Sequence, residues 1–168
     1  MDLDRVSFLF DKSELILLLR LLGCKSIPFP SLEDEIDAGA ALERLREDQL
    51  VSGSREAIAV DQVIAFLLCA MDSADFCIYV SGGVYTAIFR TASVSIVLWE
   101  RGERWLIAPF QTFADARIFM LNSLRGPQAP CTLTIRGNGC TKTLHFQTTK
   151  AAIKVAEELL PVEGEEAK

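Results

Sequence analysis

Apolar positions change period near residue 73. Before it they recur at helical spacing; after it they alternate, as strands with a buried face do. Residues 5–10 predict a short strand. Asp11, with Glu14 three residues on, predicts a capped helix over 12–22, which Gly23 suits as an end. Ile27-Pro-Phe-Pro30 breaks the chain, and Ser31 with Asp34 repeats the capping pattern. The second helix is therefore expected from there to Asp48, with Ala38, Ala41, Leu42 and Leu45 on one face. Residues 50–51 and 57–60 predict a small wing-like hairpin. A third helix starts at Asp61, and Val60, Val63, Ile64, Leu67, Leu68 and Met71 share one stripe.

Beyond Asp72 the alternation predicts strands at 76–80, 84–90, 93–99 and 104–108, turning at Gly82-Gly83, Thr91-Ala92 and Arg101-Gly102. Two-residue turns set Val80 opposite Tyr85, Phe89 opposite Val94 and Leu98 opposite Trp105. One face then collects Phe76, Ile78, Val80, Tyr85, Ala87, Phe89, Val94, Ile96, Leu98, Trp105 and Ile107, and is expected to be the core side. Thr112 and Asp115 open a helix to Leu124. Gly126-Pro127 and Pro130 break it. Asn138-Gly139 turns a hairpin of strands 131–136 and 141–147, and a helix over 149–160 stops at Pro161. The expected fold is α+β: a helical, wing-like N-terminal part packed on an antiparallel meander of four strands plus a second hairpin, with C-terminal helices. One domain is expected over 1–161, divisible into 1–72 and 73–161, with a disordered tail at 162–168.

Composition narrows the function classes. Half of the 168 residues are hydrophobic, enough for a core without staples. The net charge of -6 opposes binding to nucleic acid or anionic membrane, and the acid is concentrated in residues 1–72, with 14 Asp/Glu against 7 Lys/Arg. Leu15 to Leu22 is too short to span a bilayer and carries Arg20. The start is acidic where a secretory signal needs positive charge, and the five cysteines are odd in number without framework spacing. Free thiols in a cytoplasmic protein are expected.

Catalytic chemistry is hard to assemble. His145 is the single histidine. The Asn138-Gly139 register puts Cys131 opposite Phe146 and His145 opposite Thr132 on the other face, so Cys131, Cys140 and His145 diverge rather than ligate. Glu33, Asp34, Glu35 and Asp37 are read as favouring a helix N-terminus rather than as a catalytic pair. No catalytic residue, cofactor or metal is expected. Helix–helix–wing–helix also suggests a winged-helix DNA-binding regulator. Against it, the third helix carries no Lys or Arg through Met71 and the second is mostly acidic. A small-molecule-binding or unclassified α+β domain is the remaining alternative. The strongest surface candidate is the mixed face of the meander: Tyr79, Ile88, Val97, Trp99 and Leu106 beside Thr86, Arg90 and Arg104. Aromatic, aliphatic and Arg side chains together suit an interface centre, for another protein or a second copy of the chain. The competing expectation is that the chain's own hairpin and last helix cover this face.

One family fits the order of elements. Ala41-Leu-Glu-Arg-Leu-Arg-Glu-Asp-Gln-Leu-Val51 precedes the hairpin; Val60-Asp-Gln-Val-Ile-Ala-Phe-Leu-Leu68 and Asp75-Phe-Cys-Ile-Tyr-Val80 follow it. Ser13-Glu-Leu-Ile-Leu-Leu-Leu-Arg-Leu-Leu22 before the Pro-containing loop, and Trp105-Leu-Ile-Ala-Pro-Phe110 before Thr112, fit as well. This pattern, over residues 5–124, resembles the EspG-type chaperones of type VII (ESX) secretion, with Gln49 where that family usually has Gly and about half the usual length. The resemblance implies a cytosolic, non-enzymatic adaptor that shields a helical secretion substrate.

Overall fold

The computed structural model describes residues 6–126 and 128–160. Arg5, Pro127, Pro161 and the tail expected to be disordered lie outside them. β1 (Phe8–Asp11) runs directly into α1 (Lys12–Leu21), whose start is held by the Glu14 carboxylate accepting from the Asp11 N–H at 2.8 Å. Glu14 is buried, and Arg44 Nε donates to it at 2.9 Å, tying α1 to α2 (Ala38–Glu47). β2 (Val51–Gly53) and β3 (Ile58–Val60) form the small hairpin, and Asp61 caps α3 (Gln62–Asp72) by accepting from Val63 N and Ile64 N.

The second helix starts at Ala38, seven residues after Ser31 and later than expected. Ser31 and Asp34 close a turn instead, the Asp34 N–H donating to Ser31 O at 3.0 Å. The Asp34 carboxylate pairs with Lys12, and its carbonyl accepts from Arg20 at 2.7 Å. Only Asp37 of the acidic run caps the helix, through Ala40 N. At the other end Gln49 sits at φ 59°, the left-handed position that ends many helices and favours Gly.

β4 (Phe76–Ser81), β5 (Tyr85–Arg90), β6 (Ser95–Arg101) and β7 (Arg104–Phe110) form the expected antiparallel meander. After α4 (Phe113–Ser123) come β8 (Cys131–Gly137), β9 (Cys140–Phe146) and α5 (Thr149–Leu159). The strands make one sheet of seven in the order β1-β7-β6-β5-β4-β8-β9. The second hairpin keeps its expected register, Cys131 opposite Phe146 and Thr132 opposite His145.

The meander register differs from expectation at every turn. Ser81, not Val80, faces Tyr85, because the β4–β5 loop holds three residues: Gly82, Gly83 and Val84. A slip of one turns a strand over. Cys77 and Tyr79 therefore join Tyr85, Ala87 and Phe89, while Phe76, Ile78 and Val80 go to the opposite face. Gly82 (φ 110°) passes so near β8 that a Cβ there would meet Pro130 O at 2.9 Å. The other two turns slip by two, pairing Phe89 with Ile96 and Leu98 with Ile107, so those faces survive although Leu98 does not face Trp105.

Helices cover both faces. α1, α2, α3 and the 27–29 loop pack on Phe10, Phe89, Ile96, Leu98, Trp105 and Ile107; Phe29 and Trp105 meet edge-on at 4.5 Å. α4 and α5 pack on Ile78, Val80, Ile88, Val97 and Leu133. β5, at the centre, is buried on both sides from Tyr85 to Phe89.

Candidate functional site

The eight residues expected to form a docking surface do not form one open patch. Thr86 faces Trp99, Ile88 faces Val97 and Trp99 faces Leu106, so these five share the α4/α5 side of the sheet. There α4 covers most of them. Ile88 and Val97 have no exposed surface, and Ser123 of α4 donates its hydroxyl to Thr86 Oγ1 at 3.0 Å. Tyr79 lies on the other face, stacked on Tyr85 at 6.2 Å, because of the one-residue slip in the first turn. Arg90 is at the strand end, its guanidinium over Phe76 and Phe113 at 5.1 and 5.5 Å. Arg104 is at the start of β7, paired with Asp11 at 3.3 Å and donating to Leu9 O.

What stays accessible of the expected patch is its flank beside α4. Trp99 is half-buried, edge-on to Phe119 at 5.8 Å with the Arg101 guanidinium over its ring; Leu106 is half-buried next to it. Phe119 also packs on Phe110 at 5.3 Å, and Ile118, 54% exposed, stands on α4 one residue away. Sequence reasoning missed Ile118, Phe119 and Phe110 because the meander register says nothing about which helix lands on it. Phe66 of α3 is also exposed, 51% accessible, one turn before Cys69.

Trp99→Ala is accordingly expected to cost about 2–3 kcal/mol of stability, less than the ~3–5 kcal/mol of a fully buried aromatic. A urea melt checks this. A midpoint unchanged from wild type would mean that Trp99 stands free of Phe119.

The polar features are occupied by the fold. An open cleft of about 710 Å³ is lined by Ser26, Asp72, Asp75, Arg90, Arg136 and the Asn138-Gly139 turn. Asp72 there accepts from the Lys25 and Ser26 N–H groups at 2.8 and 2.6 Å, and Arg136 donates to Ser26 O. These bonds latch the 24–26 loop to α3 and β8 and leave few groups converging on a ligand. Burial pushes the Cys24 and Cys77 thiols up to about 12, so neither is a ready nucleophile. Cys131 and Cys140 share a face of the second hairpin but sit six strand positions apart in β9 register, about 20 Å, and His145 is on the opposite face. Among the described residues no group of three or more His, Cys, Asp or Glu is placed to hold a metal ion, and no helix is long and apolar enough to cross a membrane.

Comparison with solved structures matches this architecture to the Mycobacterium tuberculosis type VII secretion system chaperone EspG5, in complex with a PE25–PPE41 dimer. The TM-score is 0.57 at 9% identity, over 96% of this chain and 99% of that chain. The fold resembles that of a type VII secretion chaperone. The element order that suggested EspG-type chaperones thus has a counterpart in three dimensions. No protein-family profile and no curated protein sequence matches the chain.

Proposed function

We propose that the protein is a non-enzymatic, cytoplasmic adaptor that binds another protein, of the kind that chaperones helical type VII secretion substrates. The observation that carries this reading is the fold-level match to EspG5 along nearly the whole of both chains. The EspG5 structure holds a PE25–PPE41 dimer, and a pair of helical substrate chains of that type is the partner proposed here. The accessible flank of the expected docking face, Trp99, Leu106 and Phe119, with exposed Ile118 on the outer side of α4, offers the aromatic and aliphatic anchor such a contact needs. The acidic first part of the chain and the uncharged run of α3 from Gln62 to Met71 support a protein partner over DNA, since phosphate contacts need cations.

The test is titration of the purified chain with PE–PPE-type substrate pairs, read by calorimetry and native mass spectrometry. A stoichiometric complex is expected, with a dissociation constant of about 1 μM or tighter. Ile118→Asp is expected to weaken it at least about tenfold with the melting midpoint unchanged, because the side chain it replaces faces solvent. No complex with any such pair, or instead retention of duplex DNA that weakens steeply with salt, overturns the reading.

A further inference from the structure

The sheet ends on one side in β9, seven residues long, with Cys140, Thr141, Lys142, Thr143 and His145 exposed. Among the described residues no strand pairs with its outer side. Asn138 (φ 51°) and Gly139 (φ 74°) are both left-handed and join Gly137 to Cys140, a two-residue turn of the type that closes on a hydrogen-bonded pair. Bonded and non-bonded pairs then alternate along the ladder. Cys140, Lys142, Leu144 and Phe146 therefore aim their backbone groups at β8. Thr141, Thr143 and His145 aim theirs outward, each with one N–H and one C=O. Sheet edges of this length are usually blunted by proline, a bulge or several charges. β9 has no proline, pairs with β8 without interruption, and carries Lys142 as its single full charge.

We propose that β9 docks antiparallel on β9 of a second copy of the chain, about a twofold axis at Thr143, joining the two sheets edge to edge. The register follows from the outward groups. With Thr143 facing its own copy, Thr141 faces His145 of the second copy, and all three outward residues of each strand are bonded. Centring on Lys142 leaves His145 out and sets two ammonium groups directly opposite, which is unfavourable. Centring on Leu144 leaves Thr141 out. In the Thr143 register Lys142 lies opposite Leu144 of the second copy instead. Charge on the flanking helix agrees. α5 packs over β8 and β9, with exposed Lys150 near its start, Lys154 at its middle and exposed Glu157 and Glu158 near its end. A twofold axis lays α5 antiparallel to its copy and brings the lysine end of each toward the glutamate end of the other. Such an interface is self-complementary, as a closed dimer requires, and the main chain supplies most of its bonds. β9 is the far edge of the sheet from β1, β7 and β6, so the Trp99 flank stays free in the dimer.

Sedimentation equilibrium on the full chain tests this. A dimer is expected at about 50 μM, with a dissociation constant in the micromolar range. Thr143→Pro removes an outward N–H and none that β9 gives to β8. It is expected to weaken the dimer at least tenfold while the circular dichroism spectrum is kept. Should that variant lose its fold, T143C decides, in a background where exposed Cys69 and Cys140 are replaced by Ser. Mild oxidation with diamide is expected to cross-link it through the axis. A wild-type chain that stays monomeric throughout the concentration range, a folded Thr143→Pro variant that dimerises as before, or the absence of the T143C cross-link overturns the proposal.

Discussion

Phe89→Ala is expected to lower stability by about 3–5 kcal/mol, the range for truncating a fully buried aromatic. Phe89 has no exposed surface. It lies on the central strand of the seven, opposite Ile96 on one neighbour and Cys77 on the other, beneath the layer formed by α1, α2 and α3. The side chain is enclosed between the sheet and the layer above it, so the cavity can close only if these move together, and a cavity that stays open costs more. For a chain of this size each kcal/mol shifts the midpoint by about 2–4 °C. A thermal melt is therefore expected to show a drop of roughly 10 °C or more. A drop under about 3 °C would contradict burial between the layers.

The second large effect is alkaline lability. Burial holds the Cys24 and Cys77 thiols at about 12, with Asp72 adding to the effect at Cys24. In the unfolded chain a thiol titrates near ~8.5. Below that pH both states keep the proton and the full stability is present. Above it the unfolded chain releases protons that the folded chain retains, so stability falls until the folded thiols themselves titrate. Each thiol then contributes a loss of about 1.4 kcal/mol per pH unit between roughly pH 9 and 12. Tyr85 adds to this at the top of the range, since burial raises it well above its ordinary value. Urea midpoints at pH 7.5, 9, 10 and 11 should show a slope of about two protons by pH 10, reduced by one in Cys77→Ala. A flat profile to pH 11 would mean that these thiols titrate normally and are reached by water.

Local signals in the sequence were accurate where one residue decides one geometry. Asp61 and Thr112 cap the helices assigned to them. Asn138-Gly139 turns the second hairpin in the expected register, because two left-handed residues in a row leave little choice of turn. Ser31 misled for the opposite reason: a capping pattern is also a turn pattern, and here Asp34 is drawn away to Lys12 and Arg20 on α1. Gly82-Gly83 has the composition of a complete two-residue turn, but Val84 belongs to the loop and shifts β4 by one. The apolar character of the faces does not reveal the shift, because Cys77 and Tyr79 are nearly as acceptable in a core as Phe76, Ile78 and Val80. In a strand buried on both faces, alternation no longer says which face is which.

The candidate site shows the same division. The sequence by itself determined the elements and their order, the antiparallel meander, the α+β class and the shared face of Trp99, Val97, Ile88, Thr86 and Leu106, because capping, turns and side-chain alternation act over a few residues. Whether that face was open could not be read from it. α4 lands on Ile88 and Val97, and β8 pairs with β4 more than forty residues along the chain. Only the tertiary structure decided this, since covering a sheet face depends on the summed burial of distant apolar side chains, which leaves no local pattern. The same long-range packing left Ile118 and the flank of Trp99 accessible, and β9 at the sheet edge.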